Sequence, residues 1–255
     1  MIDYDRMLCK HFVYGRVQKG NQMKEKSSIR GIYTAKLAGR ILVLCLCGFL
    51  YVFDRSEFDI LRGMHFFERF SVLHILWIIW MIDMLWQLVP VNRRTALGSK
   101  KLFRAYYRPA HGAVNKQALK AYKVFLLWAA LTAAMGVLYQ RQIIDDAFLF
   151  MSAVFFYVCD LVCVLVWCPF RLIMRSRCCT TCRIFNWDHL MMFSPFVYIG
   201  GFYAGSLLSV SVLAFLLWEL CVWIYPQRFW EYSNEVLKCV NCTDKLCTQY
   251  CKKLR

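Results

Sequence analysis

From Leu190 to Tyr225 the chain runs 36 residues with a single charged side chain, Glu219. A backbone surrounded by hydrocarbon must satisfy its N–H and C=O groups within the segment, so such stretches are built from helices of about 20 apolar residues. Comparable runs lie at Ser71–Val91, Tyr122–Tyr139 and Ala147–Phe170, with a shorter one at Ile41–Phe53. Apolar residues make up 60% of the 255 and charged residues only 19%. A soluble domain carries about 45–50% and about 25%. An ordinary soluble enzyme, a disordered chain and a collagen-like fibre are excluded on this ground.

The fold expected is all-α, a polytopic membrane helical bundle. As one helix, residues 190–225 would reach roughly 54 Å, too long for one crossing. The expectation is a tight hairpin turning near Ala204–Leu207. The first run becomes long enough only if Leu37–Gly39 join it and Arg40 snorkels to the headgroups. Six spans follow, at about 37–53, 71–91, 122–139, 147–170, 190–204 and 206–225. They divide the chain into a basic N-terminal segment (1–36), a six-helix membrane domain (37–225) and a Cys-rich tail (226–255).

Charge tests that count independently of hydropathy. Segments 1–40, 92–123, 171–189 and 227–255 hold 28 of the 32 Lys and Arg, and the loops 54–70 and 141–146 hold the other 4. Positive charge concentrates on the cytoplasmic side. The N- and C-termini are therefore expected in the cytoplasm, and five spans would place the basic tail outside. The first 36 residues are polar and basic with no cleavable signal, so the first span is expected to direct its own insertion. A net charge of +16 would suit nucleic acid, but nothing that binds it in solution carries runs such as Ser71–Ile82. The expected partners are the lipid bilayer, with anionic lipid at the cytoplasmic face, and a redox or complex partner protein, with no nucleic acid.

Fourteen cysteines are unusual for such a chain. On the six-span topology, Cys9, Cys178, Cys179, Cys182, Cys239, Cys242, Cys247 and Cys251 all face the reducing side, where clustered thiols read as metal ligands or redox groups rather than disulfides. Cys179-Thr-Thr-Cys182 and Cys239-Val-Asn-Cys242 are knuckles that turn two thiolates toward one ion. A hairpin between them would return both to one membrane face, so Cys179, Cys182, Cys239 and Cys242 are the candidate ligands. Cys178, Cys247, Cys251 and His189 are further candidates. Four sulfurs suit Zn2+ or an iron–sulfur cluster equally, and the two stay open here. Cys45, Cys47 and Cys221 read as small buried hydrophobes, while Cys159 and Cys163, four apart, share a helix face with Cys168 nearby.

The stretch Cys163-Val-Leu-Val-Trp-Cys168-Pro169-Phe170-Arg171, followed by Cys178-Cys179-Thr-Thr-Cys182, resembles the membrane-bound polyferredoxins of nitrogen-oxide respiration. The resemblance covers about 20 residues, has four residues rather than three between Cys163 and Cys168, and occurs once. It implies electron transfer through cysteine-held clusters at the cytoplasmic ends of spans. The expected location is the bacterial inner (cytoplasmic) membrane.

Asp83, Asp160 and Glu219 fall inside spans. Carboxylates there face protein, water or a partner rather than lipid. They either line a proton path or accept hydrogen bonds from Trp, Tyr or Arg that hold the bundle in register. The spans are rich in Trp (Trp77, Trp80, Trp86, Trp128, Trp167, Trp218 and Trp223), and several of these sit toward span ends, as an interfacial belt requires. Walker, G-x-G-x-x-G, H-E-x-x-H and G-x-S-x-G motifs are absent, so nucleotide-driven transport and hydrolysis lack support. Three functions remain: a membrane redox protein, a transporter or channel-like protein clamped by structural zinc knuckles, and a non-catalytic scaffold or accessory subunit.

Overall fold

The computed structural model describes residues 28–63, 70–88, 119–174, 183–224, 226 and 246. Among these the fold is helical throughout, without strands. Its elements are α1 (Ser28–Phe53), α2 (Val72–Leu88), α3 (Leu119–Gln140), α4 (Asp146–Leu165), the short α5 (Phe170–Met174) and α6 (Asp188–Phe193), and α7 (Gly201–Ile224). Three 3-10 turns, Arg55–Leu61, Arg183–Asn186 and Ser194–Tyr198, connect them.

Among the described residues, four helices are long and apolar enough to cross a membrane: Arg30–Phe53, Ala121–Gln140, Asp146–Leu165 and Gly201–Ile224. The apolar part of α2, Val72–Trp86, is shorter. The helix of the first run begins nine residues before the expected Leu37, and that of the fourth stops at Leu165 instead of Phe170. Local chemistry explains the second difference. Cys168 precedes Pro169, whose ring disfavours a helical conformation in the residue before it. The amides of Val166 and Trp167 both turn back to the Val162 carbonyl, at 2.9 and 3.1 Å, and close the helix early. The start of α4 is fixed by its cap. The Asp145 carboxylate accepts from the Phe148 amide at 2.8 Å, an interaction worth about 1 kcal/mol.

The hairpin expected over residues 190–225 is not formed as read. Helix α7 continues through Ala204–Leu207, where the turn was expected. The reversal comes earlier, at Gly200 and Gly201, both with positive φ (69° and 78°). At Gly201 a side chain is excluded twice, because a Cβ there would overlap the Arg62 carbonyl and lie 2.7 Å from that of Leu61. Residues 183–199, ahead of the turn, are a broken chain of 3-10 turn, α6 and 3-10 turn rather than one helix. Pro195, at the start of the second 3-10 turn, has no N–H to continue α6.

This broken segment runs alongside α3. Trp187 stacks near Tyr122 and Phe125 (centroids 5.9 and 5.6 Å). Trp128 Nε1 donates to the Met191 carbonyl and to Ser194 Oγ, at 3.1 and 3.0 Å. The Tyr198 hydroxyl donates to the Thr132 carbonyl at 3.1 Å, and its ring fills the space a Cβ on Gly136 would need. The partners advance from Tyr122 to Gly136, about 20 Å of helix. The segment is buried along most of this course, at Ile184, Phe185, Trp187, Met191, Met192, Phe193 and Phe196.

The core is aromatic. Trp80 meets Phe193 and Phe150 at 5.2 and 5.8 Å, and Phe150 stacks on Phe196 at 6.0 Å. At the Gly200–Gly201 end, Phe58, Ile60 and Leu61 are buried as a cap. There the Tyr139 hydroxyl and Arg62 Nε both donate to the Asp146 carboxylate (2.6 and 2.5 Å). That hydrogen bond, with the attraction of Asp146, raises the Arg62 pKa above its usual value. At the opposite end Leu246 is completely buried against Tyr33, Leu161, Val164, Leu165 and Phe185.

Candidate functional site

Charged side chains from α1, α2, α4 and α6 converge near the Leu246 end of the bundle. Arg40 does not snorkel outward. Its guanidinium donates to Asp160 Oδ2 at 2.8 Å and to the Tyr157 carbonyl at 2.6 Å, and lies 3.9 Å over the Tyr157 ring. The Arg40 side chain is only 13% exposed. An apolar flank made this unforeseeable from α1 alone, because the partner lies 120 residues away.

Asp83 has a partner that sequence reasoning assigned elsewhere. His189 Nε2 lies 3.3 Å from Asp83 Oδ2, and His189 Nδ1 lies 2.8 Å from Asp188 Oδ1. Each ring nitrogen of His189 thus faces a carboxylate oxygen. Asp188 is the member that sequence reading missed. Its signal was present in the Asp188-His189 pair opening an apolar run, where two polar neighbours need partners from other helices. His74, a buried histidine on α2, stays apart. Its Nδ1 accepts from the Ser71 amide at 3.0 Å, and its ring stacks on Phe70.

Glu219 belongs to a second cluster. Arg183 donates to it through Nε (3.1 Å) and through a closer Nη2 contact, Trp187 Nε1 donates at 2.7 Å, and the Tyr122 hydroxyl at 3.4 Å. Four donors from α3 and the broken segment converge on one carboxylate of α7. This arrangement ties elements together and leaves little of the carboxylate for other chemistry.

The tryptophans divide in the same way. Trp86, Trp167 and Trp223 are exposed, as a belt requires. Trp80 and Trp218 are buried in the core, while Trp77 donates to Ser206 Oγ at 2.9 Å and Trp128 to the broken segment.

Cys178, Cys179, Cys182, Cys239, Cys242, Cys247 and Cys251 lie outside the described residues. Among the described residues no group of three or more His, Cys, Asp or Glu is arranged to hold a metal ion. Of the span cysteines, Cys47 and Cys168 are buried and Cys45 is exposed, and Cys163 and Cys168 are hydrogen-bonded to each other.

Comparison with protein-family models, curated proteins and solved structures finds no match.

Proposed function

We propose that the chain is an integral membrane protein of six crossings with both termini in the cytoplasm, placed in a bacterial inner membrane. Residues 183–199 form the fifth crossing, as a broken segment. What supports this count is the course of that segment along α3, from Trp187 beside Tyr122 to Tyr198 beside Gly136. An odd number of crossings would separate the basic tail from the basic loops. The basic stretch 92–123 then meets anionic lipid headgroups.

On the cytoplasmic face, Cys179, Cys182, Cys239 and Cys242 ligate one metal centre, with Cys178, Cys247 and Cys251 at hand. The observation that carries this is Leu246, buried in one cluster with Phe185. Leu246 adjoins Cys247, and Phe185 follows Cys182 by three positions. The packing brings the chain on either side of the two cysteine groups to one place. With an iron–sulfur cluster there, the function is membrane-associated electron transfer to a partner protein. A second reading, transport with a zinc clamp, is favoured by the charged network on α1, α2, α4 and α6, since buried charge inside a bundle marks ion and proton pathways.

Elemental analysis of the purified full chain separates the two. Iron with acid-labile sulfide and broad visible absorbance supports electron transfer, whereas a colourless protein with one zinc per chain supports the clamp. Protein holding neither metal overturns the cysteine centre itself. Replacing any one of the four primary cysteines by Ser should release the same metal equivalent, and a double replacement no more than one.

A further inference from the structure

We propose that Asp83, His189 and Asp188 form a proton-binding site inside the bundle, loaded through Asp83 and held in place by the Arg40–Asp160 pair. The inference uses none of the cysteines and stands whichever metal they hold.

The geometry counts the protons. A neutral imidazole has one N–H, so it can donate to one carboxylate only. His189 has carboxylate oxygens at hydrogen-bond distance from both nitrogens, 2.8 Å at Nδ1 and 3.3 Å at Nε2. Both contacts become hydrogen bonds only when the triad carries one proton beyond the neutral ring and two carboxylates. That proton sits on His189 Nε2 or on Asp83 Oδ2. Without it, two lone pairs face each other across 3.3 Å.

Among the described residues, the neighbouring elements contribute as follows. From α1 comes Arg40 and from α4 come Asp160 and Tyr157, with Arg40 joined to Asp160 at 2.8 Å. From α2 comes Asp83, and α6 supplies Asp188 and His189 themselves. On α7, Glu219 is held by Arg183 and Trp187 in the other cluster. The Arg40–Asp160 pair is neutral by itself, so the triad passes between net −1 and net −2 as the proton comes and goes. A hard metal cation fits worse, because it seeks several oxygen ligands, and here an imidazole occupies the centre beside a fixed guanidinium.

Entry is set by exposure. The Asp83 side chain is 43% exposed and that of His189 9%. A proton from the aqueous phase protonates the Asp83 carboxylate and then passes to His189 Nε2, leaving Asp83 ionised. The Nδ1–H stays on Asp188 throughout. Beneath the site Trp80, Tyr157 and Phe193 close an aromatic floor, which bars leakage toward the far side of the core.

The test uses the full chain with ring-15N-labelled histidine in nanodiscs containing anionic lipid, at about pH 8, where an ordinary imidazole is neutral. One of the five histidines should show both ring nitrogens protonated. That signal should vanish in His189→Gln, revert to a neutral imidazole in Asp83→Asn, and return in Asp83→Glu. Five neutral imidazoles in the unsubstituted protein, or a doubly protonated signal that survives His189→Gln, would overturn the proposal. The unsubstituted spectrum decides the matter even if a variant does not fold. In a pH jump followed by an indicator dye, Asp83→Asn should take up one proton fewer per chain. Equal uptake would refute entry through Asp83.

Discussion

Arg183 and Glu219 offer the sharpest energetic test of the fold. Their side chains are 14% and 15% exposed, so each is mostly removed from solvent. Removing one partner of a buried pair leaves an uncompensated charge and costs about 3–5 kcal/mol. With some exposure remaining, Arg183→Met and Glu219→Leu are each expected near ~3 kcal/mol, roughly a hundredfold in the folding constant. The double variant Arg183→Met/Glu219→Leu strands no charge. Among the described contacts it leaves the Trp187 N–H and the Tyr122 hydroxyl without the Glu219 acceptor, at about 1 kcal/mol each. It should therefore cost ~2 kcal/mol where simple addition gives ~6, a coupling of about 4 kcal/mol. The assay is unfolding of the full chain in mixed micelles by SDS, followed by tryptophan fluorescence. Additivity within about 0.5 kcal/mol would refute the reasoning, because the two side chains would then not be acting as one buried pair.

The other expectations are smaller in scope. Gly201→Ala meets two carbonyls and a positive φ at once, so it should destabilise by at least about 2 kcal/mol in the same titration, while Gly39→Ala, with open space around it, should not. Asp145→Ala removes the α4 cap and should cost about 1 kcal/mol; no change in the SDS midpoint would argue against the cap. Leu246→Asp should undock the tail, seen as faster proteolysis of residues beyond 226 with α1–α7 intact. An unchanged cleavage rate would mean that Leu246 does not anchor it.

Hydropathy revealed the long apolar helices because a membrane-spanning reading demands apolar residues along the whole exposed face. Helices α1, α3 and α7 carry Leu42, Leu126 and Leu216 outward, and their runs stand out accordingly. The segment 183–199 is wrapped in protein instead. It was free to use Asn186, Asp188, His189 and Pro195, and its apolar remainder merged with α7 into one run. The Gly200-Gly201 dipeptide marked the actual turn, but dividing the run by length placed it four residues late. Partners across the bundle were illegible for another reason. Asp160 announces that it needs a cation, but not that Arg40 is 120 positions away. The same holds for Asp83 and His189, 106 apart.

The broken segment also constrains how the protein is made. A continuous helix satisfies its own backbone, whereas this stretch shares its Met191 carbonyl between Trp128 and its own Ser194 hydroxyl and sends the Tyr198 hydroxyl to the Thr132 carbonyl. On the proposed fifth crossing Arg183 and Asp188 add an insertion penalty, relieved for Arg183 by Glu219 of α7 and Tyr122 of α3, and for Asp188 by the ring of His189, itself beside Asp83 of α2. On the proposed six-crossing reading, residues 183–199 have no reason to leave the translocation machinery until α2 and α3 are in place and α7 has been synthesised. Assembly has an order written into it: the last helix and the segment before it enter together, with the core closing only when the chain is nearly complete.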